Sequence, residues 1–438
     1  MGLVLVSPRM LFYLVGLRRN LRVKPSELRS LQLKKFRALV RHAYENVPFY
    51  HRKFREAGVK PDDIKSFDDL CRIPITTNFE VQACNPRDVV AGGVDLGSLI
   101  KKTTSGSTGV PLAIFVDSLV EDFYAAVWIR ALFEDGLRVR DRMAFIADPR
   151  SFPKKKSLFQ HLDIIERKYI SIFDSAEKQI ALLRELKPDV VKGYTSSLFI
   201  LAEKFRDIAK EIRPRLVFSG AEVLDAASRR WINSAFGGEL FDLYGSSEFD
   251  LLAWECKAHN GCHVNADSVL MEFLDDDGEA VASGDRGKVV CTGLFNCVMP
   301  LIRYELGDVA VPVNDDCTCG VTLPLIKSVE GRADDFLLAL DGRMISPTVF
   351  FPYPFEDVDL IRRFRVIQES RKKLVIQVAT KETFADRDRI VRNAERKIRG
   401  LFGEDMEVEF EFVEEIPCDP SGKLRKVISH VNRTAERI

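Results

Sequence analysis

The chain has 438 residues and a mass of 49.7 kDa, which is too long for one compact core and suits two or three domains. Hydrophobic residues make up 46% and charged residues 30%, which excludes disordered, collagen-like and disulfide-scaffold proteins. Sixty-five Lys plus Arg balance sixty-five Asp plus Glu, so no net field gathers nucleic acid or an anionic membrane. We therefore expect no nucleic-acid partner, and any anionic ligand needs a local site.

The apolar N-terminal stretch, residues 1–20, is interrupted by Pro8 and Arg9. A membrane-spanning helix needs roughly 20 apolar residues, and no cleavage site of a signal peptide follows. The stretch predicts a buried strand or helix, with weak contact at a membrane surface as the alternative. Nine cysteines are too few for a secreted, disulfide-stapled fold. We expect no stable membrane insertion and a cytoplasmic location.

Helices and strands alternate through the middle of the chain, as in an α/β domain with a parallel or mixed sheet. In such sheets, ligands bind beyond the carboxyl ends of the strands. The predicted elements, in chain order, are a helical stretch over 26–57 that contains Pro48, a helix after Ser175 that Pro188 ends, a strand at 189–191, a helix from Ser196 to Ile212, and strands at 216–220 and 240–245.

The last hundred residues have a different pattern. Residues 373–380 predict a strand, and apolar spacing between Ile390 and Leu401 predicts a helix. Residues 406–413 alternate apolar side chains with glutamates, which predicts a strand with one buried and one wet face. Strand, helix and strand indicate a small α+β domain, with its boundary near 331–335.

The strongest local signal is KKTTSGSTGVP, residues 101–111. Its glycines and hydroxyl residues offer many N–H and O–H donors, which is the chemistry that wraps phosphate oxygens. No Gly-Lys-Ser/Thr follows the glycines, so this is not a Walker loop, and the missing lysine must come from elsewhere. Taken alone, such a loop is equally well a plain surface turn.

Five further motifs follow in order: SGAE (219–222), DLYGSSE (242–248), RYELGD (303–308), GRADD (331–335) and PSGKLRK (420–426). Together with TTSGSTG, they resemble the motifs of the adenylate-forming enzymes, which include acyl-CoA synthetases, nonribosomal adenylation domains and luciferases. Residues 44–77 and VVKGYTSSL (190–198) look more narrowly like the phenylacetate–coenzyme A ligase family and its capsule-biosynthesis relatives. The resemblance covers most of the chain.

The resemblance implies a fold and a reaction. The fold is α/β, with a large N-terminal adenylate-forming domain of mixed sheets and helices, 1–333, and a small mobile α+β lid domain, 334–438. The reaction joins a carboxylate to ATP, with Mg²⁺, and gives an acyl adenylate and pyrophosphate. Catalysis is then chiefly the placement and neutralisation of phosphate charge. Asp334 resembles the hinge on which the small domain rotates.

The resemblance also implies residue roles. The phosphate loop would hold the departing phosphates, Tyr244 would stack on adenine, and Glu248 would ligate Mg²⁺. Asp308 and Arg332 would contact the ribose. The residues expected to bind ATP are Thr104, Ser105, Gly106, Ser107, Thr108, Gly109, Gly220, Ala221, Glu222, Tyr244, Gly245, Ser246, Ser247, Asp308, Arg332 and Lys423, and the catalytic set is Lys423, Glu248 and Thr104.

Three of these residues also have plain structural interpretations. Tyr244 could simply pack in the core, Asp308 could cap a turn after Gly307, and Lys423 could be a solvated turn residue. In the family, the lysine at the position of Lys423 arrives with the small domain and stabilises the charge that develops during adenylation.

ECKAHNGCH (255–263) and CTCG (317–320) resemble a structural zinc site found in part of this family. The matching ligands are Cys256, His263, Cys317 and Cys319. Three thiolates and one imidazole close a tetrahedral site, which is typical of a structural metal. His259 and Cys262 are further candidates that the family pattern does not require, and free buried thiols are the alternative.

The acyl acceptor and the acid are less defined. After GRADD, the family's Arg-Gly-x-Asn segment, which shapes its coenzyme A tunnel, has Met344 or Ile345 at the Asn-like position. Coenzyme A is favoured as acceptor by family frequency, with an amine or a carrier-protein thiol as alternatives. An aryl or arylacetic acid is expected, in a pocket that could be lined by Phe145, Tyr194, Phe218 and Phe249.

A non-catalytic nucleotide-binding scaffold is the alternative from another functional class. A scaffold has no use for the four residues Glu248, Asp308, Arg332 and Lys423 together, which argues against it. The resemblance allows a homodimer.

Overall fold

The computed structural model describes residues 7–104, 112–152, 166–346, 361–380, 387–419 and 423–431. It has a large part built on an eleven-stranded sheet with helices on both faces, and a small C-terminal part built on a four-stranded sheet. This confirms the predicted fold class. The boundary between residues 333 and 334 stays a prediction.

Eleven α-helices are described, besides short 3-10 turns, and no described helix is long and apolar enough to cross a membrane. They are α1 (Pro8–Asn20), α2 (Pro25–Asn46), α3 (Pro48–Glu56), α4 (Asn78–Gln82), α5 (Pro86–Val89), α6 (Ser118–Glu134), α7 (Ala176–Leu186), α8 (Thr195–Lys204), α9 (Arg206–Ile212), α10 (Ala226–Phe236) and α11 (Arg387–Phe402).

The described strands are β1 (Ile100–Thr103), β2 (Ala113–Val116), β3 (Met143–Ala147), β4 (Arg167–Ser171), β5 (Val190–Tyr194), β6 (Leu216–Gly220), β7 (Glu239–Ser246), β8 (Asp250–Glu255), β9 (Cys262–Val264), β10 (Val269–Leu274), β11 (Gly287–Gly293), β12 (Tyr304–Val313), β13 (Leu325–Arg332), β14 (Leu337–Leu338), β15 (Met344–Ile345), β16 (Ile361–Ser370), β17 (Lys373–Thr380), β18 (Glu407–Val413) and β19 (Val427–Ser429).

The large sheet changes from parallel to antiparallel at β7. Its order is β10-β11-β12-β13-β9-β8-β7-β6-β5-β3-β4, and the strands from β7 to β4 are parallel. Alternate residues of the parallel strands face opposite sides. Phe145, Phe218 and Phe241 pack on the side of α6, whereas Val191 and Val217 join a second core with α7 to α10. Both faces are therefore buried, as parallel strands require.

The predicted single helix from Ser196 to Ile212 is wrong, because the chain forms α8 and α9 with Phe205 between them. Phe205 leaves helical geometry (φ −129°, ψ 38°), while its partly buried ring packs against the second core. The helical stretch within 26–57 is likewise two helices, divided at Val47, because Pro48 has no N–H to continue the first one.

The N-terminal stretch, predicted as a buried strand or helix, forms a helix from Pro8 onward that is buried on one face, while Leu11, Phe12 and Val15 are exposed. The Ser7 hydroxyl accepts a hydrogen bond from the Met10 N–H and caps α1, which buries Met10, Leu14 and Leu17. Residues 1–6 of the predicted stretch lie outside the described residues.

The small part has the sheet order β18-β17-β16-β19, with α11 packed on it. Its core contains Leu374, Ile376, Ala394, Ile398 and Phe402. On β18 the glutamates at 407, 409 and 411 are exposed, and the apolar residues between them are partly buried. The alternation read from the sequence therefore describes this strand correctly.

Candidate active site

The motifs converge at the carboxyl edge of the parallel strands. β5, β6 and β7 end there at Tyr194, Gly220 and Ser246, and the antiparallel strands β12 and β13 bring Asp308 and Arg332 to the same edge. The small part faces this edge through residues 423–426. The result is a cleft between the two parts, lined by segments distant in sequence.

Asp308 is the central carboxylate of this cleft. It lies opposite Arg332 in the β12–β13 register, with 3.6 Å between Arg332 Nη1 and Asp308 Oδ1. The Tyr244 hydroxyl donates a hydrogen bond of 2.7 Å to Asp308 Oδ2. Burial raises the pKa of Asp308, while Arg332, Tyr244 and Lys423 act in the opposite direction. The Tyr244 hydroxyl therefore has the hydrogen-bond partner that a buried phenol needs, and this bond joins two of the predicted motifs.

Gly307 makes room for this pair. Its φ of +75° lies in the left-handed region, and a Cβ there would lie 3.1 Å from Arg332 Nη2. Gly245 has a similar steric role at the irregular register between β7 and β8, where a Cβ would lie 2.5 Å from the carbonyl oxygen of Asp250.

Glu222 joins the two parts of the molecule. Its carboxylate accepts the Ser196 N–H, in the first turn of α8, at 2.7 Å, and the Leu424 N–H of the small part at 2.9 Å. Burial raises the pKa of Glu222, and both N–H groups together with Lys423 oppose this. The neighbouring Ala221 has a φ of +66°, which is uncommon for a residue with a Cβ.

Glu248 lies beside Asp308 at the turn between β7 and β8. The Tyr304 hydroxyl donates to Glu248 Oε1 at 3.4 Å, and burial raises the pKa of the Glu248 carboxyl. The Ser246 hydroxyl accepts the Phe249 N–H at 3.1 Å, while Ser247 is exposed. A largely buried carboxylate with lone pairs to spare is suited to a hard divalent cation.

The phosphate loop is described only at its ends. Thr104 and Leu112 close it, since the Leu112 N–H donates to Thr104 Oγ1 at 2.9 Å and the Thr104 N–H donates to the Leu112 carbonyl at 3.0 Å. Ser105, Gly106, Ser107, Thr108 and Gly109 lie outside the described residues, so their predicted contacts stay predictions.

Lys423 lies at the cleft, on the small part. Its N–H donates to Asp419 Oδ1 at 3.1 Å, and its carbonyl accepts the Asp419 N–H at 2.8 Å. The Lys423 ammonium lowers the pKa of both Asp308 and Glu222 against the effect of burial. A cation from the C-terminal motif therefore acts on carboxylates some hundred or more residues away along the chain. Asp334, the predicted hinge, lies in the short turn Ala333–Asp335 that follows β13.

Two groups of charged residues near the cleft were not predicted from the motifs. Lys426 Nζ lies 2.7 Å from Asp225 Oδ2 across the cleft. Lys102, Glu121, Lys192 and Asp250 gather between the large sheet and α6. A lysine within the otherwise apolar strand VVKGY is the one signal in the sequence that pointed to this second group.

The predicted metal ligands form a compact cluster. The ligand atoms of Cys256, His263, Cys317 and Cys319 all lie within 4.8 Å of one another. His263 Nδ1 is 3.0 Å from the Leu323 carbonyl, which orients Nε2 toward Cys319 Sγ at 3.2 Å. Burial lowers the pKa of His263, which favours the neutral imidazole that binds metals.

The two additional candidates do not join this cluster. His259 Nδ1 is 3.1 Å from Glu255 Oε1, and the His259 ring stacks on Phe241. Cys262 is buried on β9, opposite Glu255 and Ile326. The described geometry thus agrees with the four ligands of the family pattern.

Comparisons with known proteins show what the chain is similar to. Residues 337–430 match the model of the CapK C-terminal domain. Over 330 residues the chain is 29% identical to phenylacetate-coenzyme A ligase of Thermus thermophilus, covering 74% of each chain. It is 22% identical over 426 residues to protein CapK of Staphylococcus aureus, covering 93% of this chain and 90% of that protein.

Solved structures of 2-hydroxyisobutyryl-CoA ligase have the same fold at 22 to 23% identity. In the postadenylation state, the TM-score is 0.79 over 94% of this chain and 91% of that one. In the thioesterification state, it is 0.64 over 94% of this chain and 92% of that one.

The relatives bear out the prediction of an enzyme of the AMP-forming acid–coenzyme A ligase class. The predicted resemblance is likewise confirmed: the chain is similar over most of its length to phenylacetate–coenzyme A ligases and to CapK, and it has the fold of the adenylate-forming ligases.

Proposed function

We propose that the protein activates a carboxylic acid with ATP as an acyl adenylate in this cleft and transfers the acyl group to coenzyme A. The observation that carries the proposal is the convergence of Tyr244, Glu248, Asp308, Arg332 and Lys423, which belong to four separate motifs, on one edge of the sheet.

Each of these residues has a part in the first half-reaction, which forms the acyl adenylate. Asp308 accepts hydrogen bonds from the ribose hydroxyls, Arg332 holds the Asp308 carboxylate in place, and the Tyr244 ring lies against the adenine. Glu248 and the hydroxyls of the phosphate loop would hold Mg²⁺ and the phosphates, where the bound ion would supply positive charge against the phosphate oxygens. Lys423 supplies a further positive charge toward the phosphate oxygens while the acid's carboxylate attacks.

Coenzyme A is the proposed acceptor because curated relatives at 28 to 29% identity are phenylacetate-coenzyme A ligases. Transfer to an amine or a carrier-protein thiol is the alternative, since Met344 and Ile345, on the short strand β15, depart from the family's tunnel segment. An aryl or arylacetic acid is proposed on the resemblance alone. We further propose that zinc binds the Cys256 cluster in a structural role.

Exchange of labelled pyrophosphate into ATP across a panel of acids tests the first half-reaction. Exchange should depend on an acid, and Lys423→Ala should lower its rate at least about a hundredfold, because the charge that develops on the phosphates loses its cation. Lys372→Ala, which removes an exposed lysine of the small part, should leave the rate unchanged.

ATP binding without exchange for any acid would favour the scaffold instead. Exchange without thioester formation on addition of coenzyme A would support the amine or carrier-thiol alternative.

A further inference from the structure

A group of four charged side chains lies between the large sheet and α6, beside the cleft. Lys102 Nζ is 2.5 Å from Glu121 Oε1 and 3.4 Å from Asp250 Oδ2. Trp128 Nε1–H donates a short hydrogen bond to Asp250 Oδ1. Although burial opposes it, Asp250 and Glu121 raise the pKa of Lys102, so this ammonium is fully partnered. The proposed adenylation chemistry uses none of these groups.

Lys192 is the member of this group without a direct partner. Among the described residues, its ammonium makes no hydrogen bond and no ion pair; it lies 4.6 Å from the centroid of the Trp128 ring and 5.9 Å from that of Phe145. Burial lowers its pKa to about 8, with Asp250 opposing the shift, so the ammonium is mostly protonated at neutral pH. Lys192 is half-buried, and its ammonium lies against aromatic rings with no acceptor from the described residues beside it.

Lys192 lies close to the place where the proposed carboxylic acid substrate would bind. On β5, Lys192 pairs with Phe145 of β3 and Phe218 of β6, and all three belong to the row that faces α6. Two residues further, β5 ends at Tyr194, where Gly220 is the partner on β6 and the adenylation cleft begins. An acid whose carboxylate reacts in the cleft, and whose body extends along this row, brings its far end to Lys192.

The charges of these four side chains determine which chemical group the far end of the acid can carry. Lys102 and Lys192 balance Glu121 and Asp250, so a second carboxylate on the substrate would leave a buried net negative charge. A neutral oxygen adds no charge and accepts the N–H that lacks a partner. A purely hydrocarbon end would leave that donor unsatisfied.

We propose that Lys192 is a specificity-determining residue, which donates a hydrogen bond to a neutral oxygen (hydroxyl, carbonyl or ether) at the far end of the carboxylic acid. This inference rests on the proposed function, because it concerns the acid that the same cleft activates.

Matched acids test the inference by pyrophosphate exchange. The pairs are phenylacetate with 4-hydroxyphenylacetate and hexanoate with 6-hydroxyhexanoate, and adipate serves as the dicarboxylate. For at least one pair, the wild type should favour the oxygen-bearing acid about tenfold or more in kcat/KM. Lys192→Met should bring that ratio close to one, and Lys192→Gln, which keeps a neutral donor, should give an intermediate ratio.

Lys168→Met, which removes an exposed lysine from β4, the strand beyond β3 in the same sheet, is the control and should keep the wild-type ratio. A ratio near one for both pairs in the wild type, an unchanged ratio in both Lys192 variants, or a preference for adipate over 6-hydroxyhexanoate would overturn the inference.

The same acids separate failure of the inference from failure of the proposed function. If no acid supports exchange, the proposed function fails, and binding then decides the inference. The melting temperature of the wild type should rise more with an oxygen-bearing acid than with its partner, and Lys192→Met should lose that difference. Equal shifts, or no shift with any of the acids, would contradict a role for Lys192 in binding the acid.

Discussion

Asp308 shows at the scale of one residue how the cleft is suited to a nucleotide. Two lone-pair-rich oxygens are held by Tyr244 and Arg332, in a place where burial raises the pKa of the carboxyl. Asp308→Asn should weaken ATP binding about tenfold or more, because the amide removes the charge and one acceptor. Calorimetric titration with ATP measures this affinity. Asp315→Asn, the same substitution at an exposed aspartate, is the control.

The raised pKa of Asp308 has a consequence for pH. Since ribose binding needs the ionised form, ATP affinity of the wild type should begin to fall, on acidification, at a higher pH than an ordinary aspartate would cause. In Asp308→Asn this part of the pH dependence should be absent. An identical pH dependence in the two proteins would show that Asp308 does not govern binding.

Lys192 gives a second prediction, this time on stability. Its pKa is lowered from 10.5 to about 8 in the folded chain, so between those values the unfolded chain binds more protons. The free energy of unfolding therefore decreases as the pH falls from about 10.5 to about 8 and does not change further, through Lys192, below that range. At pH 7, Lys192→Met should be more stable than the wild type by up to about 3 kcal/mol, from about 1.4 kcal/mol per pKa unit.

Urea unfolding at several pH values between 7 and 10.5 measures this difference. The advantage of Lys192→Met should shrink as pH rises, whereas Lys168→Met should differ from the wild type by a constant amount. An advantage independent of pH would mean that the charge of Lys192 is not what destabilises the fold.

At the scale of elements, the sequence was sufficient where a local rule decided the outcome. The strand at 216–220 was predicted in full, and Ser175 caps α7 by accepting the Lys178 N–H. It failed at 196–212, where the periodic pattern continues through Phe205, because the turn there depends on packing against the second core rather than on a breaking residue.

The cleft could be predicted only as an ordered set of motifs. Nothing local to Asp308 or Arg332 sets them opposite each other, since their pairing comes from the β12–β13 register. The charged group around Lys102 is harder to predict from the sequence. It joins residues of β1, α6, β5 and β8, and Lys102 and Asp250, which are in contact, lie more than a hundred positions apart. Such contacts need the topology of the sheet.

A metal bound at the Cys256 cluster should stabilise two connecting segments of the large part. Cys256 and His263 flank the connection between β8 and β9, and Cys317 with Cys319 lies between β12 and β13, so a metal would tie these segments together. We expect about one zinc per chain by elemental analysis, and a melting temperature lowered by several degrees after chelation or in Cys317→Ser. Cys71→Ser, at an exposed thiol, is the control. Unchanged stability in verified metal-free protein would refute a structural metal.

At the scale of the whole molecule, the small part is held in one orientation by contacts across the cleft. Besides the Glu222–Leu424 hydrogen bond, Lys426 Nζ contacts Asp225 Oδ2 at 2.7 Å and Ser228 Oγ at 3.2 Å. Burial opposes ionisation of Asp225, yet Lys426 and the hydrogen bonds of Ser228 lower its pKa. The same orientation places Lys423 close enough to Asp308 for its ammonium to lower the pKa of that carboxyl. Because the proposed function gives Lys423 its role in adenylation, we infer that this orientation is the one for that first half-reaction.

Lys426 allows that inference to be tested without touching a proposed catalytic residue. Asp225 also caps α10 by accepting the Ala227 and Ser228 N–H groups, so changing it would disturb the helix, whereas Lys426→Ala removes only the cation of the pair. A mostly buried pair of this kind should bias the equilibrium between domain orientations by about 1 to 2 kcal/mol.

Lys426→Ala should therefore slow acid-dependent pyrophosphate exchange about tenfold, while thioester formation from a supplied acyl adenylate and coenzyme A stays equal or becomes faster. Lys372→Ala should change neither rate. Equal slowing of both half-reactions by Lys426→Ala would point to general damage to the fold, and no change in either would mean that the contact with Asp225 does not set the orientation of the small part.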